Sequence, residues 1–292
     1  MEAALQASYD ECKRLNSLHG KTYYLATLLL PKNKRPYVHA LYGFARYADE
    51  IVDDLASTLS PTEKAVALKS WSSGVLEDLK AGTSTDHIGR ALVDTARRFD
   101  IPHQHFVDFL HSMEMDLTVT EYQSYEDLLK YVYGSAAVIG LEMVSILGYS
   151  DQRAFEAAKK LGIAFQLANF IRDVGEDLDR GRVYLPIQEL AQFGVDRAML
   201  ERRILTPEII EALKFQIERV RDLQRESKDG IEFLDKESRP CIRAASELYC
   251  GIVDEVEAIG YDIFTKRAKT STARRARVAG LAYIQAVAAR IS

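Results

Sequence analysis

Apolar residues recur at helical spacing through almost the whole chain, and no stretch alternates apolar and polar residues as a half-buried strand would. The pattern predicts helices over 36–55, 61–81, 103–117, 125–147, 151–178, 207–228 and 239–259, with a last one starting at Thr270. Ser60-Pro61-Thr62-Glu63 and Thr206-Pro207-Glu208 supply the capping side chain and first-turn proline that open two of them. Breaks fall at 82–86, 148–151 and 181–186, none with the length or bias of an interdomain linker. The expected architecture is all-α, with residues 1–292 forming a single domain. A composition of 47% hydrophobic and 28% charged residues, with only 7 prolines, allows a core of that size.

A formal net charge of −5 argues against a nucleic-acid partner, which would need a basic face to neutralise phosphates. Cys12, Cys241 and Cys250 have neither disulfide-framework nor zinc spacing and suit a reducing, cytoplasmic setting. The first fifteen residues carry Glu2, Asp10 and Glu11 and lack the basic start and apolar run of a secretory signal. The apolar stretches 23–30 and 136–147 fall short of the roughly 20 residues that span a bilayer, so any membrane contact is expected to be peripheral.

Two helices carry the same acidic device. Tyr42, Arg46, Asp49 and Asp53 step by four, three and four residues and share one face; Gln166, Asn169, Asp173 and Asp177 step by three, four and four. Each set spans only about 60° at roughly 100° per residue. Carboxylates at i,i+4 repel, and a divalent cation offsets that repulsion: Mg²⁺ prefers hard oxygens and binds one or two carboxylates together with substrate phosphates. Arg46 and Arg172 stand where a guanidinium fork would meet those phosphates. A lone DxxxD reads better as a solvated helix face, as Glu50 and Asp54 do. Two matched stripes, the second hemmed by Ile163, Leu167, Phe170, Ile171 and Val174, favour a site.

At these residues the sequence resembles the squalene/phytoene synthase family. Tyr42…Arg46…Asp49-Glu-Ile-Val-Asp53 is similar to its first aspartate motif, and Asn169-Phe-Ile-Arg-Asp173-Val-Gly-Glu-Asp177-Leu-Asp-Arg-Gly-Arg-Val-Tyr-Leu-Pro186 to its second. The resemblance implies an isoprenoid-synthase-type helical bundle around a central cavity. It implies catalytic roles for Asp49, Asp53, Asp173, Asp177, Tyr42 and Arg46, with the four aspartates and Asn169 holding Mg²⁺, for which Mn²⁺ can substitute. His19-Gly-Lys21-Thr22-Tyr23-Tyr24 matches the family's N-terminal diphosphate segment, which carries substrate binding to Lys21 and Thr22. Gln166, Arg172, Tyr249 and Arg267 are carried over in the same way.

Met113-Glu-Met-Asp116 and Tyr131-Val-Tyr-Gly134-Ser-Ala-Ala-Val-Ile-Gly140 resemble the bacterial phytoene-forming members. The implied reaction is head-to-head condensation of two geranylgeranyl diphosphates through a cyclopropylcarbinyl diphosphate to phytoene, without NADPH. The small residues around Ala136 and Gly140 read equally as a channel wall for a prenyl tail or as close helix packing. The alternative is squalene or dehydrosqualene formation from farnesyl diphosphate. Further off stand a cyclising terpene synthase, whose usual DDxxD is missing, and a non-catalytic helical scaffold. The absence of a C-terminal anchor segment fits the bacterial members. Lys266-Arg267-Ala-Lys269 and Arg274-Arg275-Ala-Arg277 form a locally basic tail, either a solvated helix face or an attraction to phosphate or anionic lipid.

Overall fold

The structure, a computed structural model, describes residues 2–53 and 59–291, with Asp53 described in its backbone only. Fifteen α-helices occupy these residues: α1 (Ala3–His19), α2 (Lys21–Thr27), α3 (Arg35–Asp53), α4 (Pro61–Ala81), α5 (His87–Arg98), α6 (His103–Met115), α7 (Tyr125–Val132), α8 (Val138–Leu147), α9 (Arg153–Asp179), α10 (Ile187–Ala191), α11 (Arg197–Glu201), α12 (Pro207–Ser227), α13 (Arg239–Cys250), α14 (Ile252–Ala258) and α15 (Thr272–Ile291). Extended pairing among the described residues is limited to two isolated bridges, Glu121 with Val183 and Tyr149 with Leu234. The fold is all-α.

Local chemistry sets most of the starts. Ser60 and Glu63 complete a capping box before Pro61, and Thr206 accepts from the Ile209 amide before Pro207. Asp86, Ser124 and Asp196 cap α5, α7 and α11 in the same way. Two expectations need correction. The helices α1 and α5 were not predicted: α1 buries Ser8, Tyr9, Cys12 and Asn16, a mostly polar face that carries no apolar signal. The stretch 239–259 is two helices that meet at Gly251, with α13 ending at Cys250 and α14 beginning at Ile252. The first predicted helix is observed to Asp53, and its last residues, with Asp54, lie outside the described set.

Two apolar cores flank the space between α3 and α9. One gathers on α3, where Phe44 is fully buried against Trp71, Phe106 and Phe109, with ring centroids 5.2–5.6 Å apart. The other joins α9 to α12 through Leu167, Ile171, Leu213, Ile217 and Val220. Each fully buried side chain of this size contributes about 1.5–3 kcal/mol, so the two helices are held from outside while their polar stripes face inward.

Between α7 and α8 the residues Tyr133–Ala137 form a π turn, so Tyr125–Leu147 runs as one continuous stretch. The helix expected over 125–147 is thus observed, and at 23 residues, with a most apolar window of mean hydropathy 1.2, it is long and apolar enough to cross a membrane by length and composition, which corrects the expectation that the apolar stretch there falls short of a span. Half of its most apolar window is buried in this fold, and the stretch packs against α6 and α9.

Candidate active site

The two polar stripes meet. Tyr42, Arg46 and Asp49 from α3, Gln166, Asn169, Arg172, Asp173 and Asp177 from α9, and Tyr249 from α13 all line one chamber of about 590 Å³. Leu41, Phe44, Ala48 and Val52 pull the adjacent face of α3 into the core, and Leu167, Ile171 and Val174 do the same for α9, which leaves the polar stripes toward each other. Asp53 belongs to the same stripe by sequence, but its side chain lies outside the described residues.

Arginines partner the carboxylates. Arg46 donates to Asp49 at 2.9 Å and stands 3.8 Å from Glu50, which is exposed as the sequence suggests. Arg172 holds both oxygens of Asp173, and Arg180 stands 3.9 Å from Asp177. Burial works against the charge of Arg172, and the Asp173 carboxylate outweighs it, so its pKa rises above the ordinary arginine value. Burial also pushes the Tyr42 phenol up, and that of Tyr249 to about 12. Both hydroxyls are therefore protonated donors at neutral pH.

Behind the chamber lies an apolar tunnel of about 240 Å³, sharing Tyr23, Ser135, Ile139 and Tyr249 with it. Ala136 and Gly140 are on its wall, with Ala154, Ala157 and Ala158 opposite on α9. The small-residue run both lines this space and lets helices approach closely. A Cβ on Gly140 would sit 2.5 Å from the Ala158 carbonyl oxygen, and one on Gly134 would sit 2.1 Å from that of Asp108, so the glycines permit close helix contact. The alanines leave the space beside it. The Ser135 hydroxyl is buried at the junction without a hydrogen-bond partner.

Two carried-over residues are not brought to the chamber wall. Lys21 and Thr22 sit in the first turn of α2, with Lys21 exposed, while their neighbours Gly20 and Tyr23 form the lining. Arg267 stands at the rim, reaching Asp173 at 3.0 Å and Glu176 at 3.2 Å.

A second polar set escaped the sequence reading. Asp116, just past α6, accepts hydrogen bonds from Tyr131 (2.7 Å) and Tyr184 (2.8 Å), and its carbonyl accepts from Arg182 (2.8 Å). All four line the chamber, as does Arg180, and Tyr184 stacks on Phe170 at 4.1 Å. Asp116 and Tyr184 stand in the motif runs 113–116 and 169–186, yet no spacing rule joins an aspartate to two tyrosines on separate elements.

Among the described residues no three His, Cys, Asp or Glu side chains cluster tightly enough to hold a metal ion alone. The donor set nevertheless suits a hard divalent cation. Asp49, Asp173, Asp177 and the Asn169 amide offer only oxygen or neutral nitrogen groups to one space, where phosphate oxygens would complete the coordination.

Comparison with known proteins agrees with this geometry. The family described as squalene/phytoene synthase matches residues 17–274. A chloroplastic phytoene synthase of an Oncidium hybrid cultivar is 38% identical over 286 residues, covering 96% of this chain and 68% of that protein. The 15-cis-phytoene synthase of Synechococcus elongatus is 36% identical over 285 residues, covering 94% and 91%. Among solved structures, a dehydrosqualene synthase in complex with ligand superposes with a TM-score of 0.87 at 26% identity, covering 97% of this chain and 98% of that one. The squalene synthase HpnC from Alicyclobacillus acidocaldarius has the same fold, with a TM-score of 0.81 at 24% identity over 89% and 97%. With its motifs, its fold and these likenesses in accord, the chain is a member of the squalene/phytoene synthase family, a family of prenyltransferases that condense prenyl diphosphates head to head.

Proposed function

We propose that this chain, acting as one catalytic domain, joins two geranylgeranyl diphosphates head to head to give phytoene, two diphosphates and two protons. The observation that carries the reading is a pair of adjoining cavities that share Tyr23, Ser135, Ile139 and Tyr249: one lined by two acidic, arginine-bearing stripes, the other walled largely by alanine and glycine. The 36–38% identity to phytoene synthases from plants and a cyanobacterium supports the longer prenyl chain.

Asp49, Asp53, Asn169, Asp173 and Asp177 would hold Mg²⁺, or Mn²⁺ in its place, which supplies charge neutralisation for a departing diphosphate. The chain's own groups do the rest. Arg46, Arg172, Arg180 and Arg182 present guanidinium forks to phosphate oxygens, and the protonated phenols of Tyr42 and Tyr249 donate hydrogen bonds at the same end. As the first C1–O bond breaks, an allylic cation forms. The second substrate's double bond attacks it and a proton leaves, which yields the cyclopropylcarbinyl diphosphate. Loss of the second diphosphate, rearrangement and loss of another proton complete phytoene. Tyr23, Phe165 and Tyr249 put aromatic rings in the tunnel wall, where π density stabilises cationic carbon, and the apolar lining keeps water from capturing it. No step calls for NADPH.

Product analysis tests this. Purified protein with Mg²⁺ and geranylgeranyl diphosphate is expected to yield phytoene without NADPH, and EDTA is expected to abolish the reaction until Mg²⁺ is restored. Squalene or dehydrosqualene from farnesyl diphosphate, with nothing from the longer substrate, would overturn the chain length. Turnover that survives exhaustive chelation would overturn the metal assignment.

A further inference from the structure

The last helix is held by a narrow stripe. Only Val278, Ala282 and Ala286 of α15 are buried, at i, i+4 and i+8, and the helix packs on α13. Its other sides carry Leu281, Tyr283, Ile284 and Ile291, which are 56%, 62%, 66% and 83% exposed. A single exposed leucine is ordinary, but a helix whose outward residues are this apolar marks an interaction surface. The patch extends further: Arg290 donates to the Leu29 carbonyl at 2.6 Å, which places the exposed Leu25 and Leu28 of the α2 segment at the same end as Ile291.

Charge selects the partner. From Ile263 to the last residue the sequence has no Asp or Glu, although the whole chain is acidic. Arg274 and Arg277 pair with Asp254 and Glu247 on the inner side, while Lys269 and Arg275 stand exposed at the N-terminal end of the helix. Exposed cations flanking an apolar helix face, with no carboxylate in the segment, complement anionic headgroups. The tunnel lies directly behind. Ala26, Thr27 and Leu30 turn inward from the segment whose Leu25 and Leu28 turn outward, and Cys241, Ile242 and Ala245 line the tunnel from α13, on which α15 rests.

We propose that the outer face of α15, with Leu25 and Leu28, docks the protein on a lipid bilayer bearing anionic headgroups, the helix lying in the plane of the interface. The docked face separates the tunnel from lipid by the thickness of one or two helices. That matters for release of an insoluble product, a consequence that rests on the function proposed above; the binding itself does not.

The test is flotation of the intact chain, without substrate, on vesicles of phosphatidylcholine with and without phosphatidylglycerol. The wild type is expected to float with the anionic vesicles. Leu281→Glu/Ile284→Glu should partition about tenfold less or lower, since losing two inserted side chains costs more than one decade of affinity. Val66→Glu, at an exposed apolar site on α4, should bind like the wild type. Circular dichroism confirms that each variant folds, and Ile291→Ser serves if the double variant does not. The proposal fails if the wild type stays unbound, or if the α15 variants float unchanged. It also fails if the wild type elutes as a dimer that Leu281→Glu/Ile284→Glu splits while neither binds vesicles. Because no turnover is read, failure here leaves the condensation reading standing, and failure of that reading leaves this one standing.

Discussion

Arg172 and Asp173 are consecutive on α9, yet their side chains meet, the guanidinium holding both carboxylate oxygens. Arg267 closes on the same carboxylate from 94 residues further along, at 3.0 and 3.2 Å. Glu176 also stands 3.2 Å from Arg267, so two guanidiniums face two carboxylates at that corner. A diphosphate binding there has to take a guanidinium from one of these carboxylates.

Replacing Asp173 by Asn should cut turnover by about 10²–10³-fold, the scale seen when a preorganised electrostatic group is removed. Asp49→Asn should do the same. Asp173→Asn also strips the mostly buried Arg172 of its charged partner, so its melting temperature should fall, while Asp49→Asn should melt like the wild type. Steady-state kinetics and thermal melts check both, and near-normal turnover in the two variants would refute the site.

Glu142 is fully buried on α8, and neither carboxylate oxygen has a hydrogen-bond partner. Burial raises its pKa well above 4.5, so the folded state keeps the proton that the unfolded state releases. The stability it leaves intact below pH 4.5 is lost as pH rises toward the folded pKa, about 1.4 kcal/mol for each unit climbed. Glu142→Leu lacks this penalty. Its melting temperature should exceed that of the wild type by a margin that widens from pH 5 to pH 8, and a margin independent of pH would refute the assignment.

Asp116 joins α6 to Tyr131 and Tyr184, and those rings pack against Tyr122 and Phe170. Asp116→Ala frees both phenols and should destabilise the fold by about 1–3 kcal/mol, the cost of leaving buried groups unsatisfied. Turnover should fall more than either Tyr131→Phe or Tyr184→Phe causes alone. Urea unfolding and kcat measurements on the three variants test this, with equal effects from all three counting against a shared clamp.

Ala136 lines the tunnel where α8 and α9 approach each other. Ala136→Leu fills space that a long tail would occupy, and one to two methylenes of misfit cost about 1–3 kcal/mol. Turnover of geranylgeranyl diphosphate should drop about tenfold relative to farnesyl diphosphate in direct competition. An unchanged ratio would remove Ala136 from the tail's path.

What the sequence determined by itself is local. The helical period places Tyr42, Arg46 and Asp49 on one face and Asn169, Asp173 and Asp177 on another whatever the rest of the chain does, and the Ser60 and Thr206 caps act within a single turn. Such features are written in neighbours three and four residues apart. Only the tertiary structure decided that the two faces share one chamber, that Lys21 is exposed outside its lining while Arg267 reaches Asp173, and that Asp116 gathers Tyr131 and Tyr184. It also decided that α1, with a polar inner face, is a helix of the core. These outcomes depend on contacts between elements far apart in the chain, set by which apolar surfaces bury against each other, and no periodicity along a single segment encodes them.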